Sequence, residues 1–351
     1  MYRNHCIRLL TQKISRVVNA KQTKFRACIY SISRYYSKLH HFNERTMKNL
    51  NSLSGIEKKE LFDSIDTVLF DCDGVIWLSS EVIPGALDAI NGLKRVGKRI
   101  FFVTNNSTKS RADLLKKSLK LGFQVTVDEM ITSAWLTAVY MKSLNFNKKA
   151  YLIGRKAIAD ELNEVGIECF GFGPDHYSPG TTVEEHIAIN PDVAAVIVGH
   201  DIDFSFPKMI KACNFLSDPN CLFIGTNLDP SLPLPGNKTA PGAGSFVKAI
   251  ETASGREPVV VGKPSKIAVD EVLKSKGLNP RRALMIGDRC TTDIAFGNTC
   301  SMHTLLVLTG IDTLEMAEEH ERNQKSQLVP TFYADSIADL LKLIDNGLQK
   351  Q

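Results

Sequence analysis

The chain has 351 residues, room for two domains and a sizeable buried core. Its hydrophobic content of 43% and charged content of 23% are ordinary for a soluble globular protein. The net charge of +5 is unevenly placed: residues 1–55 hold eleven Lys or Arg against one acid, Glu44, a balance of +10 that leaves −5 for the rest. A mildly acidic body argues against a nucleic-acid partner, and no run approaches the roughly eighteen apolar residues of a membrane span.

Residues 1–43 lack Asp and Glu. On a helix, Leu10, Ile14, Val17 and Val18 would share one face with cations elsewhere, the composition of a mitochondrial transit peptide or of a plain basic tail. Met47 could start a shorter chain lacking this segment, so the expected location is cytoplasmic, or mitochondrial if the segment is a transit peptide. The eight cysteines show no C-x-x-C pair and no zinc-type spacing, which predicts a reducing compartment and no disulfide framework.

Val68-Leu69-Phe70 is an apolar run of strand type that leads directly into Asp71-Cys72-Asp73-Gly74. A strand without alternation is buried on both faces of a parallel sheet and delivers the next residues to the carboxyl edge. Two carboxylates so close need a cation, a shared proton or full exposure. A hard divalent ion such as Mg²⁺, held by oxygen, answers that need. A calcium loop is excluded, because Val75, Ile76 and Trp77 occupy the next ligand positions.

Farther along, a helix is predicted over 85–96, stopped by Gly97, then a strand 99–103 that ends in Thr104-Asn105-Asn106-Ser107. Helices over 109–121 and 134–144 come next. From about 147 the pattern restarts as a smaller βαβ series. It has strands at 150–154, 193–198 and 221–224, helices at 156–165, 206–217 and 245–253, and loops at 171–181 and 229–244. Val259-Val260-Val261 then delivers Lys263, and Ala283–Gly287 delivers Asp288 with Asp293 beyond it. A strand at 304–308 and a helix at 336–345 complete the series. The alternation predicts an α/β chain with a doubly wound, parallel, Rossmann-like sheet. Histidines 176, 186 and 200 are scattered and read as surface or core residues.

Four strand exits therefore carry Asp71-x-Asp73, Thr104-x-Asn106, Lys263 and Asp288…Asp293, in that order. This set resembles the haloacid-dehalogenase superfamily of phosphohydrolases, over about residues 65–345. Within it, Asp71-Cys72-Asp73-Gly74-Val75-Ile76-Trp77, Thr104-Asn105-Asn106-Ser107 and Gly262-Lys263-Pro264-Ser265 resemble the phosphoglycolate and pyridoxal phosphatases of animals. Beyond the basic head that the charge marks at 1–55, the resemblance implies a core in two parts (56–146 and 258–351) and an inserted α/β cap at 147–257. It implies Asp71 as nucleophile, Asp73 as general acid and base, and Mg²⁺ held by Asp71, the Asp73 carbonyl and Asp288, with Asp293 orienting that shell. Thr104, Asn105, Asn106 and Lys263 would bind the phosphoryl oxygens, and Cys72 would serve packing.

Pyridoxal phosphatases carry a cap histidine where this chain has Leu232. The expected substrate is accordingly 2-phosphoglycolate or glycerol 3-phosphate, with pyridoxal 5′-phosphate as the alternative. A phosphomutase, a receiver-like phospho-acceptor and a homodimer formed through the cap also stand as expectations.

Overall fold

The computed structural model describes residues 46–178, 180–187, 190–234 and 238–348. Contacts divide the chain into residues 1–46 and 47–351, and the second unit holds every strand and helix of the described residues. The expected targeting helix near Leu10 lies outside the described residues.

In chain order the unit runs β1 (Lys48–Asn49), α1 (Gly55–Ser64), β2 (Thr67–Phe70), a small hairpin β3 (Trp77–Leu78) and β4 (Glu81–Val82), α2 (Ala86–Arg95), β5 (Arg99–Thr104), α3 (Arg111–Lys120), β6 (Met130–Thr132) and α4 (Ser133–Ser143). The smaller series comprises β7 (Lys149–Ile153), α5 (Lys156–Glu164), β8 (Cys169–Phe170), β9 (Val193–Val198), α6 (Phe206–Leu216), β10 (Leu222–Gly225), β11 (Ser231–Leu234), β12 (Lys238–Pro241), α7 (Ala243–Ser254) and β13 (Val259–Val260). The chain closes with α8 (Ile267–Ser275), β14 (Ala283–Gly287), α9 (Ala295–Thr299), β15 (His303–Val307), α10 (Leu314–Arg322), β16 (Phe332–Ala334) and α11 (Leu340–Leu348).

The main sheet is seven-stranded, in the order β1-β16-β15-β14-β2-β5-β6, and every pairing in it is parallel. Alternate residues of the central strands feed opposite cores. Val68, Phe70, Ile100, Phe102, Leu284 and Ile286 pack beneath α1, α2 and α11. Leu69, Phe101, Val103 and Met285 pack against α4, α8 and α9. Helices thus cover both faces, which is why the strands read as unbroken apolar runs. The order reverses at β2: β5 and β6 lie to one side, β14 to β16 to the other. Asp71 leaves the sheet at this switch point, where open α/β folds form their ligand crevice.

The second sheet has the order β13-β10-β9-β7-β8 and is also parallel. One face holds its own core around Tyr151, Val196 and Phe215. The other, through Ala150, Leu152 and Ile197, joins the cluster containing α4 of the main domain. Arg111 reinforces that seam: it donates through its main-chain N–H and Nε to Glu161 of α5, at 2.5 and 3.1 Å.

Strand pairing corrects three expectations. Residues 48–55 are part of the folded body, since β1 pairs with β16 and Leu50 and Leu53 are buried, so the basic head ends near 46. Val259-Val260 pairs with β10 and extends the cap sheet, so that sheet runs past 257 and Lys263 arrives from the cap side. The stretch 229–244, expected as a loop, contains the antiparallel hairpin β11–β12, in which Leu232 faces Ala240 in register. Pro and Gly at its edges hid the alternation. Among the described residues no helix is long and apolar enough to cross a membrane.

Candidate active site

Register places the exits of β2 and β14 side by side, Phe70 opposite Ile286, and the Asp71 N–H donates to the Ile286 carbonyl at 2.8 Å. The first carboxylate is thereby fixed next to the strand that delivers Asp288. After Asp288 the chain makes one wide π-type turn, Cys290–Ile294, which brings Asp293 back over Gly287. Such turns recur at functional sites because they re-aim a side chain within a helix. Carboxylate oxygens of Asp71, Asp288 and Asp293 then lie within 4.8 Å of one another.

Lys263 enters this group from the other sheet. Its Nζ is 2.5 Å from Asp71 Oδ1, 2.7 Å from Asp293 Oδ1 and 2.8 Å from the Val103 carbonyl, and its side chain is 2% exposed. Burial opposes its charge, but Asp293 and Asp71 outweigh that and hold the ammonium above the ordinary lysine range. The carboxylates respond in kind. Burial holds Asp71 well above the usual range despite Lys263, with Asp293 and Asp288 pushing it further. Burial and then Asp293 push Asp288 up to about 7, against the donated Ile311 N–H.

With all three carboxylates ionised, as a bound cation would keep them, the three and the one ammonium leave a formal charge of −2 in a buried group. Every ligand atom in it is a hard carboxylate oxygen, and among the described residues no thiol or imidazole belongs to the group. That donor set fits Mg²⁺, which takes a few carboxylates and completes its shell with water and substrate phosphate.

Asp73 lies apart from this group. Its carboxylate accepts from Trp77 Nε1 at 3.0 Å and is 3.6 Å from Lys117 Nζ, with the side chain 49% exposed. Thr104 is buried and its Oγ1 accepts from the Asn106 N–H at 3.1 Å. Asn106 is exposed, and its Oδ1 caps the turn by accepting from the Thr108 N–H and hydroxyl. Asn105, grouped by its motif with the phosphate binders, is instead committed to the lysine loop. Its Nδ2 donates to the Lys263 carbonyl and its Oδ1 accepts from the Lys263 N–H, at 3.0 and 2.8 Å. Cys72 is fully buried in the apolar cluster, as expected of a packing residue. Leu232 is half-buried on its hairpin.

Sequence reasoning missed the segment after β15. Thr309 Oγ1 donates to the Gly74 carbonyl, the Ile311 N–H to Asp288, and the Cys290 N–H to the buried Asp312 carboxylate. A Cβ on Gly310 would lie 1.9 Å from Asp288 Oδ2, so only glycine permits the approach. The signal was present: Leu308-Thr309-Gly310 comes directly after a buried strand, as Asp71 and Asp288 do.

A parallel sheet with a switch point at Asp71, an inserted α/β cap and this lysine-bridged carboxylate group define a phosphohydrolase of the haloacid-dehalogenase type. Residues 68–168 match the haloacid dehalogenase-like hydrolase family and residues 260–340 the related HAD-hydrolase-like family, so the chain belongs to the HAD-like hydrolases. It is 41% identical over 301 residues to glycerol-3-phosphate phosphatase of Mus musculus, covering 82% of this chain and 94% of that one. Identity to chronophin of Mus musculus is 36% over 306 residues, covering 86% and 100%. The crystal structure of a glycerol phosphate phosphatase from Mycobacterium tuberculosis, in complex with magnesium, superposes with a TM-score of 0.66 at 26% identity, covering 80% of this chain and 77% of that one. The protein is a phosphoric monoester hydrolase acting on small phosphate substrates, which sets aside the receiver-like reading.

Proposed function

We propose that this enzyme hydrolyses a small aliphatic phosphate monoester through an aspartyl-phosphate on Asp71. Glycerol 3-phosphate stands ahead of 2-phosphoglycolate as substrate. The observation that carries the reaction is the Lys263 ammonium seated between Asp71 and Asp293, beside Asp288. It fixes one oxygen of the nucleophile and screens its charge from an approaching phosphate dianion. The names of the relatives support the substrate order.

Asp71 attacks phosphorus, forming the aspartyl-phosphate as the P–O bond to the alcohol breaks. Asp73 gives its proton to the departing alkoxide, then takes one from the water that attacks the intermediate, which releases phosphate and restores Asp71. To do so its carboxylate must leave Trp77 and turn toward the leaving oxygen. Thr104 and Asn106, at the exit of β5, border the phosphoryl oxygens. Asp71, Asp288 and the Asp73 carbonyl would hold Mg²⁺, with Asp293 and Lys263 setting their orientation; the bound ion would supply positive charge to the transferring group.

The cap is proposed to pair with a second copy of the chain. Tyr177, Val183, Ile187, Ile202 and Phe206 are exposed on it, with Tyr177 stacked on His186 and 6.3 Å from Phe206. Residues 1–46 are proposed to address part of the protein to mitochondria. Fusing them to a fluorescent protein checks this, and diffuse fluorescence would dismiss it.

The deciding experiment compares kcat/KM for glycerol 3-phosphate, 2-phosphoglycolate and pyridoxal 5′-phosphate in the presence of Mg²⁺. A preference for glycerol 3-phosphate or 2-phosphoglycolate is expected. A preference for the pyridoxal compound would overturn the reading of Leu232, and an isomerised ester without free phosphate would point to a mutase.

A further inference from the structure

One ion pair joins the cap to the loop that carries Asp288. Asp229 Oδ1 accepts from Arg289 Nη1 at 3.1 Å, with side chains 13% and 16% exposed. Each partner is tied into further structure. The other Asp229 oxygen accepts from Asn227 Nδ2 at 2.8 Å, and the Asn227 Oδ1 accepts from the Thr226 hydroxyl at 2.9 Å. The Thr226 carbonyl in turn accepts from the N–H of Gly262, the residue before Lys263. Arg289 is the residue next to Asp288, and its own N–H donates to Asp293 Oδ2 at 3.2 Å.

The main chain at Asp229 is also clamped to the start of α7. Its carbonyl accepts from the Gly244 N–H, and the Pro230 carbonyl from the Gly242 N–H and the Ser245 hydroxyl. A Cβ on Gly242 would lie 2.2 Å from the Asp229 oxygen, so the contact leaves no slack. The hairpin β11–β12 begins two residues after Asp229, and among the described residues its strands pair only with each other. An isolated two-stranded hairpin is marginal in water and takes its position from whatever anchors its base.

We propose that Asp229 is a specificity-positioning residue: through Arg289 it holds the Leu232 hairpin in register with the Asp288 loop, and so sets which alcohol portion of the ester is accepted. The inference rests on the phosphatase reading above. Asp229 adds no atom to the group around Asp71; it acts through Arg289 and the hairpin base. Neutralising it leaves a mostly buried guanidinium without its counter-charge, and the hairpin base loses its tie to the Asp288 loop.

The test measures kcat and KM of the full-length enzyme with Mg²⁺ on glycerol 3-phosphate and on p-nitrophenyl phosphate, whose flat aromatic portion lacks the hydroxyls by which a glycerol portion is recognised. For Asp229→Asn, KM for glycerol 3-phosphate is expected to rise about tenfold with kcat within about twofold, while p-nitrophenyl phosphate changes by less than about threefold. Asp229→Glu is expected to recover most of the loss. Combining Asp229→Asn with Arg289→Gln is expected to cost no more than the worse single change. Equal losses on both esters, or additive single effects, would overturn the proposal. If Asp229→Asn does not fold, Arg289→Gln and Asp229→Glu read the same pair from either side. A wild-type enzyme inactive on both esters would instead sink the phosphatase reading itself.

Discussion

Asn105 and Lys263, 158 residues apart, hold each other by two hydrogen bonds, amide against main chain. A side chain that looks like a phosphate ligand in the sequence is therefore the bracket for the ammonium beside Asp71. Asn105→Ala strips both partners from the Lys263 main chain, which is expected to cost about 1–3 kcal/mol of stability. The displaced ammonium should lower kcat/KM by roughly tenfold or more. Asn105→Asp should do no better, because a carboxylate oxygen would then face the Lys263 carbonyl. Urea titration and steady-state kinetics check both.

Asp71 and Asp73 should fail differently. Asp71→Asn is expected to abolish turnover and phosphoenzyme together, since the attacking oxygen is gone. Asp73→Asn should slow turnover by roughly 10²–10⁴-fold. With p-nitrophenyl phosphate, which needs little acid assistance, Asp73→Asn should still form the aspartyl-phosphate and release it slowly. Intact-mass measurement after rapid acid quench distinguishes them; phosphoenzyme in Asp71→Asn would remove Asp71 as nucleophile.

Removal of divalent ions with a chelator should stop phosphate release, and added Mg²⁺ should restore it. The crowding of Asp71, Asp288 and Asp293 around one buried point also predicts a stability effect of the cation without substrate. At a hundredfold excess over its dissociation constant, Mg²⁺ should stabilise the fold by about 2.7 kcal/mol, read as a rise in Tm. Asp288→Asn should shrink that rise. Full activity in chelator would dismiss the cation.

His200 provides a pH prediction outside the carboxylate group. Its main-chain N–H donates to Ser107 Oγ at 3.4 Å, its ring meets Phe246 edge to face, and its ring Nδ1 is buried without a hydrogen-bond partner. Burial, and then Arg155, hold the imidazole below its ordinary value of 6.5, with Asp201 partly opposing. The unfolded chain therefore takes up the proton first, so stability present above 6.5 is lost as pH falls through the lower folded value. His200→Phe should keep the ring contact and remove this term. Between about pH 7.5 and about pH 5.5 its Tm should fall less than that of the wild type. Parallel curves would show that His200 contributes nothing to the acid limb.

The sequence by itself determined the chemistry and its order. Apolar runs leading into Asp71, Thr104 and Asp288 needed no tertiary information, because a strand buried on both faces leaves no polar alternation and its first polar residue marks the carboxyl edge. The tertiary structure decided which of those polar groups meet. Asn105 turned to Lys263 and Asp229 to Arg289, 158 and 60 residues away, while Asp73 turned to Trp77 within its own loop. Lys263 lies just beyond a strand of the cap sheet, and the Gly310 loop closes over Asp288 from β15. Periodicity reports which face of an element is buried. The orientation of a side chain at an element's end depends on partners far along the chain, and no local pattern encodes them.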